Sequence, residues 1–299
     1  VLIRLYQLQV VENEFFVEKA HGNRINIRAT LPPRGIIYDR NGRILAENKT
    51  AFQLELIPEQ LKDIDDSLMR LSNLGLIDNE SINSIKTEIK KSQQFKPVTI
   101  RTSLTDSDIA KFAVNMPNFS GINLQPRLIR SYPYSEATSH VVGYLGAVSK
   151  SDLIKLNRFS YDPNEKIGKT GSELFNEDHL HGVPGFDQFI ANARGREIPI
   201  KTDSIFLEKK PPEPGSNIYL TVDLELQKLA TELLGGRKGA VVAIDPNNGE
   251  ILSLVSSPTF NPNIFSNTLT TDQFNELQSN EDQPLFNRAV LGTYSPGST

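Results

Sequence analysis

The chain has 299 residues, 38% of them hydrophobic, with 32 Lys and Arg against 36 Asp and Glu for a formal charge of -4. That composition suits one large or two ordinary globular domains and excludes wholesale disorder. No basic field or stripe of Arg and Lys among aromatics exists to recruit nucleic acid, and a cysteine count of zero excludes disulfides, thiolate metal sites and a cysteine nucleophile.

The first residues, VLIRLYQLQVVENEFFVEKA, are apolar but interrupted by Arg4, too short to span a bilayer and without a signal-peptide cleavage site. They fit either the end of a membrane anchor or a terminal helix docked on its own domain. Residues 30–57 predict strands around a tight turn, with a rigid Pro32-Pro33 lead, a turn at Asp39-Arg40-Asn41-Gly42, and Phe52, Leu54 and Leu56 alternating along a half-buried strand. Asp39 is read as a turn residue with an internal Asx hydrogen bond and a structural ion pair, in preference to a catalytic carboxylate.

A helical lobe is expected over about 58–120. Leu61, Ile64, Leu68 and Leu71 fall at helical spacing, Ile82, Ile85 and Ile89 repeat it after a break at Gly75 to Asn79, and Thr105-x-x-Asp108 has the form of a capping box before Ile109, Phe112, Ala113 and Met116. From Gly121 the pattern returns to strands, with a step at Arg130-x-Tyr132-Pro133, a polar stretch, and an apolar run from Val141 to Val148 interrupted by Gly143 and Gly146. Ser149-x-x-Asp152 is expected to cap a short helix. Gly168-x-x-Gly171-x-Glu173 then leads into a helix that ends near Leu180 and Gly182.

Of the four histidines, His21, His140, His179 and His181, only the last two are close in sequence. With Gly182 and Pro184 following, they are read as solvated loop residues and not as metal ligands. Gly168-Lys169-Thr170 lacks the earlier glycine and the leading strand of a phosphate loop. Glu173 has two readings, a general base or a residue that ties down the 168–171 loop, and the second is preferred.

Residues 209–215, Lys-Lys-Pro-Pro-Glu-Pro-Gly, form the best domain boundary, giving domains of 1–214 and 215–299. Beyond it, Ile218 to Asp223 predicts a strand entering a helix at Leu224 to Leu234. Residues 239–243 and 251–256 predict a hairpin around Asp245-Pro246-Asn247-Asn248-Gly249, and 261–295 is read as polar and loop-rich. A Pro296-Gly297 turn then delivers Ser298 as acyl-transfer enzymes of the Ser-x-x-Lys type present a nucleophile. The lysine would be residue 301.

Taken in order, these segments resemble the class B penicillin-binding proteins. Arg34-Gly35-x-Ile37-x-Asp39-Arg40-Asn41-Gly42-x-x-Leu45-Ala46 resembles their first pedestal motif, and Arg130-x-Tyr132-Pro133 with His140-x-x-Gly143-Tyr144-x-Gly146 the second. Gly168-x-x-Gly171-x-Glu173 through Leu180-x-Gly182-x-x-Gly185, followed by Arg194-Gly195-Arg196, resembles the third. Leu220-Thr221-x-Asp223-x-x-Leu226-Gln227, the 239–246 strand, Asn287-Arg288-Ala289 and Tyr294-x-Pro296-Gly297-Ser298-Thr299 resemble the opening of the transpeptidase domain. The elongation-type branch is the better match and the division-type branch the runner-up.

The resemblance implies a multi-domain α+β fold: an elongated β-rich pedestal, of the dimerisation type, with a helical head lobe, followed by the first part of a β-lactamase-like transpeptidase domain. It implies a serine-type D-Ala-D-Ala transpeptidase or carboxypeptidase acting on peptidoglycan stem peptides through an acyl-enzyme at Ser298, inhibited by β-lactams, with no cofactor and no metal. It implies an inner-membrane anchor preceding these residues, a periplasmic body, and partners among glycan-polymerising membrane proteins and elongation scaffolds. A non-catalytic docking module is the competing reading. The 299 residues by themselves, without the lysine and the later motifs, are expected to be inactive, with the hairpin's sheet edge unpaired.

Overall fold

The turn predicted at residues 39–42 organises the strands on either side of it. Asp39 is fully buried, and its Oδ1 accepts from the amides of Asn41 (2.9 Å) and Arg43 (2.7 Å), an Asx turn that reverses the chain between two strands. Among the described residues the expected Asp39 ion pair does not form, because both carboxylate oxygens face backbone amides; Arg40 reaches Glu250 instead, at 3.4 Å.

The computed structural model describes residues 25–149, 152, 165–192, 197, 207–266 and 271–293. In chain order these form β1 (Ile25–Thr30), β2 (Ile37–Tyr38), β3 (Ile44–Leu56), α1 (Ile64–Asn73), α2 (Ser81–Lys91), β4 (Val98–Arg101), α3 (Asp106–Asn115), β5 (Ile122–Ser131) and α4 (Ser135–Val142). There follow β6 (Leu145–Ala147), β7 (Lys166–Gly168), α5 (Gly171–Phe175), α6 (Glu177–Leu180), β8 (Gly185–Ile190), β9 (Lys209–Lys210) and β10 (Ile218–Tyr219). The remainder comprises α7 (Leu224–Leu234), β11 (Gly239–Ile244), β12 (Ile251–Ser257), α8 (Asn263–Ser266), α9 (Thr271–Ser279) and α10 (Arg288–Leu291). The fold is α+β, as expected.

Two units divide the chain: Val1–Pro33 with Gly182–Gly215, and Arg34–His181 with Ser216–Thr299. In the first, β8 pairs antiparallel with β1 from Ile25↔Ile190 to Thr30↔Gly185, and β9 adds to its other edge. The proline-rich 209–215 stretch is thus bound to this sheet through β9 and a Val183↔Glu213 bridge. Gly185 is required there, since a Cβ would lie 2.3 Å from the Lys210 carbonyl.

In the second unit, β3 is the axis. It pairs with β2 and β4, and with β5 along Glu47↔Ser131 to Leu56↔Ile122, while β10 joins β2 in parallel. The far end of β3 supports the helical lobe, whose core gathers Leu54, Leu56, Leu68, Leu71, Ile85, Ile89, Val98 and Phe112. Leu61, Ile64 and Ile82 pack partly buried against it. The break at 75–79 turns inward, burying Leu76 and Ile77. The capping box forms: Thr105 Oγ1 accepts from the Asp108 amide at 3.2 Å and Asp108 from the Thr105 amide at 3.1 Å. The buried face of α3 runs through Phe112 and, in part, Ile109, but leaves Ala113 and Met116 exposed.

Two expectations are corrected. Residues 135–142, read as a polar stretch entering a strand, form the helix α4, because Thr138, Ser139, His140 and Val142 are buried by tertiary packing that overrides the weak helix propensity of β-branched residues. Residues 261–295, read as loop, contain α8, α9 and α10; helices of four residues such as α8 and α10 are too short to show a period. The predicted hairpin forms as β11 and β12, paired from Gly239↔Ser257 to Ile244↔Ile251.

Candidate functional site

Three sequence segments meet at one buried carboxylate. Arg34 begins the second unit just before β2, Arg130 lies at the end of β5, and Glu173 sits on α5. Glu173, fully buried, accepts from Arg34 Nε at 2.7 Å and from Arg130 Nε at 2.7 Å, and the Tyr132 hydroxyl lies 3.4 Å away. Glu177 holds the other side of the Arg34 guanidinium at 2.6 and 3.1 Å and accepts from the Gly168 amide at 2.9 Å. Asn48 closes the network by accepting from Arg130 Nη1 and donating to the Arg34 carbonyl.

Burial opposes the charge on Arg34, but Glu173 and Glu177 outweigh it and hold its pKa above the ordinary arginine value. Burial, reinforced by Glu173, pushes the Tyr132 hydroxyl well up. Glu173 is therefore no general base: both oxygens are taken by guanidinium donors, and no substrate proton can reach them. It ties motif segments together, and the preferred sequence reading holds.

Backbone approach joins the second and third segments. Gly143, at φ +83°, has no room for a Cβ, which would lie 1.9 Å from the Thr170 carbonyl; at Gly171, φ +61°, it would lie 2.7 Å from the Gly143 amide. Gly168 belongs to β7 and Lys169 pairs with Asp152 at 2.5 Å, an arrangement unlike a phosphate loop. Ser149 and Asp152 make the reciprocal capping bonds expected of them. His179 is exposed, but His181 is buried with Nε2 2.6 Å from Glu165, so its reading as a solvated residue is corrected: the glycine turn folds it inward onto a carboxylate. Among the described residues no cluster of His, Cys, Asp or Glu is placed to hold a metal ion.

The same segments grip the later chain. Asp223 caps α7 through the amides of Glu225 and Leu226 and accepts from Asn41 Nδ2 at 3.1 Å, while Asp39 Oδ2 accepts from the Leu224 amide at 3.3 Å. Those amides and Asn41 lower the Asp223 pKa. Gln227, buried on α7, uses its whole amide: Nε2 donates to the carbonyls of Ala137 and Leu254, both at 2.8 Å, and Oε1 accepts from Ser253 and the Leu254 amide. Asn263 makes a two-way pair with the Tyr132 backbone at 2.9 and 3.0 Å. Lys166 on β7 donates to the carbonyls of Phe265 and Ser266, at the end of α8; burial, with Arg127 nearby, lowers its pKa to about 8.

The approach to Ser298 is anchored by Arg288. Its guanidinium donates to the carbonyls of Asp282 (2.6 Å) and Gln283 (3.1 Å), its amide donates to Ser256 Oγ (2.9 Å), and Ser256 in turn donates to the Phe286 carbonyl. Asn287 caps the short helix that follows. The chain is thereby pinned to β12 a few residues before Thr293, the last described residue. Ser298 itself lies outside the described residues, as do the first 24 residues and Arg194-Gly195-Arg196.

The family model of the penicillin-binding protein dimerisation domain matches residues 29–220, well over half of the chain. The chain belongs to the penicillin-binding proteins. The penicillin-binding protein transpeptidase domain matches residues 239–299. Relatives within this family include the peptidoglycan D,D-transpeptidase MrdA of Escherichia coli K12, 37% identical over the whole chain and 47% of the relative. MrdA of Acinetobacter baumannii is 38% identical over 99% of the chain and 43% of the relative. The chain thus spans about half the length of these relatives. Among solved structures, PBP2 of Helicobacter pylori in complex with MreC has a TM-score of 0.69 at 26% identity, covering 88% of this chain and 49% of that one. PBP2 of Pseudomonas aeruginosa in complex with WCK 5153 has a TM-score of 0.55 at 28% identity, covering 92% and 39%.

Sequence reasoning found the residues that meet at the buried carboxylate but missed the roles of Lys166, Asn263 and Gln227. Gln227 and Arg288 stood inside recognised segments, yet nothing in a single sequence marks an amide or a guanidinium as buried.

Proposed function

We propose that this chain is part of an elongation-type peptidoglycan D,D-transpeptidase, with residues 1–214 as a non-catalytic pedestal and 215–299 as the start of the catalytic domain. Ser298 is the nucleophile. It attacks the D-Ala-D-Ala carbonyl of a donor stem peptide, expels the terminal D-Ala, and passes the acyl group to an amine of a neighbouring strand. A serine at a helix start gains from the dipole, and a lysine three residues on would lie on the same face to take its proton.

The observation that supports the reading best is the set of separate bonds by which the earlier segments hold the later chain: Tyr132 with Asn263, Ala137 with Gln227 on α7, and Gln227 and Arg288 each bonded to β12, through Leu254 and Ser256. β-Lactams would acylate the same serine. A membrane-anchored, periplasmic body is part of this proposal; among the described residues no helix is long and apolar enough to cross a membrane. The MreC complex of the Helicobacter pylori relative supports a scaffold partner for this chain, and a glycan-polymerising membrane protein is proposed as a second.

The competing docking role has a surface on the lobe, where Val114 is 81% and Met69 62% exposed. It does not run through Leu61, Ile64 and Leu68, which pack into the lobe's own core. Labelling the full-length chain with a fluorescent penicillin beside a Ser298→Ala control tests the enzymatic reading. Labelling lost in the control is expected; no labelling of the folded full-length chain would leave the docking role standing alone.

A further inference from the structure

In the segment that leads to Ser298, Gln283 has a backbone that its side chain does not favour. Among the described residues it shares with Ser135 the property of being a non-glycine at positive φ, here +46°. A Cβ is penalised in that left-handed conformation, and Pro284, next in sequence, disfavours the right-handed one. The relaxed state of residue 283 is therefore extended, which would straighten the loop. Bonds hold it bent. The Gln283 amide donates to the Asn280 carbonyl at 2.9 Å and the Asp282 amide to Asn280 Oδ1 at 2.8 Å. The Gln283 carbonyl accepts from the Phe286 amide and from Arg288 Nη1, both at 3.1 Å.

Arg288, buried at the start of α10, supplies the other half. Nη2 donates to the Asp282 carbonyl at 2.6 Å while Nη1 serves Gln283 and, at 3.5 Å, Phe286. A planar fork can hold carbonyls of two successive residues at once, which a single ammonium cannot do in the same geometry. Beneath them Ser256, 1% exposed on β12, accepts from the Arg288 amide at 2.9 Å and donates to the Phe286 carbonyl at 3.1 Å. The bonds close a ring: from the bent loop to the guanidinium, from the Arg288 backbone to β12, and from β12 back to the loop. The Lys238–Asp282 pair at 2.9 Å also touches this loop, but both side chains are more than half exposed and add little in water. Strain at Gln283 persists because the buried bonds over-determine it.

We propose that Gln283 and Arg288 form a strained clasp that fixes the start of α10 on β12, and with it the point from which the chain runs on to Ser298. Arg288 is thus a positioning residue for the nucleophile and touches no substrate. Closed, the clasp has residue 283 left-handed and the fork engaged; open, it has residue 283 extended and α10 free of β12. The catalytic consequence rests on the transpeptidase reading above; the clasp itself does not.

The test uses the full-length chain with Arg288→Lys, alone and combined with Gln283→Gly. Arg288→Lys keeps the charge and loses the fork, so the amides of residues 280–293 are expected to exchange about tenfold faster while the 64–115 lobe is unchanged. A displaced nucleophile segment costs rate steeply, so acylation by a fluorescent penicillin is expected to slow about tenfold. Glycine adopts the left-handed backbone without a Cβ penalty, and the double variant is expected to regain about fivefold of both losses. An ordinary loss of stability would be deepened by an added glycine, not repaired. Ser256→Ala removes the β12 end of the clasp without touching a charge; it is expected to speed exchange over the same residues and stands in where Arg288→Lys does not fold. Wild-type exchange at 280–293 in either variant, acceleration spread evenly over the chain, or a double variant that exchanges no more slowly than Arg288→Lys overturns the clasp. Faster local exchange with wild-type acylation overturns its part in the reaction. A wild-type chain that fails to acylate, like Ser298→Ala, refutes the transpeptidase reading, and the exchange comparison still decides the clasp.

Discussion

Glu173→Gln is the most informative single perturbation. The substitution keeps the shape of the side chain but removes the only carboxylate paired with Arg130 among the described residues, and the Arg130 side chain is 1% exposed. Arg34 keeps Glu177 at 2.6 Å; Arg130 keeps only Asn48 at 3.2 Å, and its Nη2 already lacks a partner. Breaking a buried ion pair from one side strands the other charge and costs about 3–5 kcal/mol. Glu177→Gln serves as the control, because Arg34 there retains Glu173 and no cation is left alone; its cost should be smaller by about 2 kcal/mol. For a unit of this size each kcal/mol moves the midpoint by about 2–4 °C, so Glu173→Gln should melt about 6–20 °C below wild type. Urea and thermal melts followed by tyrosine fluorescence and circular dichroism give both values. Replacing the pair together, as Glu173→Leu with Arg130→Met, should recover much of the loss, since a buried ion pair is often no better than apolar side chains of similar volume. A Glu173→Gln melt indistinguishable from wild type, or one equal to that of Glu177→Gln, would refute the idea that Arg130 depends on this carboxylate.

Gly143→Ala places a Cβ against the Thr170 carbonyl at a positive φ and should cost about 3 kcal/mol or more, whereas Gly42→Ala, at φ +81° with nothing within 4 Å, should cost only about 1 kcal/mol of backbone strain; paired urea melts compare them. Leu68→Ala, fully buried in the lobe core, should lose about 2–5 kcal/mol, while Val114→Ser, 81% exposed, should stay within about 0.5 kcal/mol in the same melts. Because the His140 pKa is lowered from 6.5 to about 4, neither state binds a proton there above pH 6.5 and its contribution is complete. As the pH falls towards 4 the unfolded chain takes up the proton first, and about 3 kcal/mol is lost in all. Stability measured at pH 7 and pH 5 should fall more in wild type than in His140→Gln.

What could be read without coordinates was local. The Asx turn at Asp39, the capping box at Thr105 and the 239–257 hairpin each announce themselves within a handful of residues, because turn chemistry and strand alternation are short-range. Arg34, Arg130 and Glu173 were visible as parts of recognisable segments, but that two guanidinium groups share one carboxylate is a property of β3 and β5 pairing over ten residues and of the Gly143 approach to Thr170. α4 escaped for the opposite reason: its Thr138, Val141 and Val142 argue for a strand locally, and only packing on β12 and α5 makes a helix the better solution. His181 was misjudged because Gly182 and Pro184 correctly signal a turn, but a turn's histidine can face inward when a partner such as Glu165 is there to receive it.

The ties from residues 39–137 to the later chain differ in how they fail. Asp39 with the Leu224 amide, Asn41 with Asp223, Gln227 with Ala137, and Asn263 with Tyr132 are separate neutral or charge-assisted bonds, spaced along α7 and α8. Losing any one leaves the others, and each is worth only about 1 kcal/mol where its partner can be resatisfied. The Arg34–Glu173–Arg130 group behaves otherwise, since its members are useful only together and removal of the shared carboxylate converts a stabilised charge into an isolated one. The carboxylate-centred group therefore fails all at once, while the grip on residues 216–293 is graded. A gradual weakening of that grip, at Gln227 or Asn263, can loosen residues 216–266 without unfolding the strands that support them.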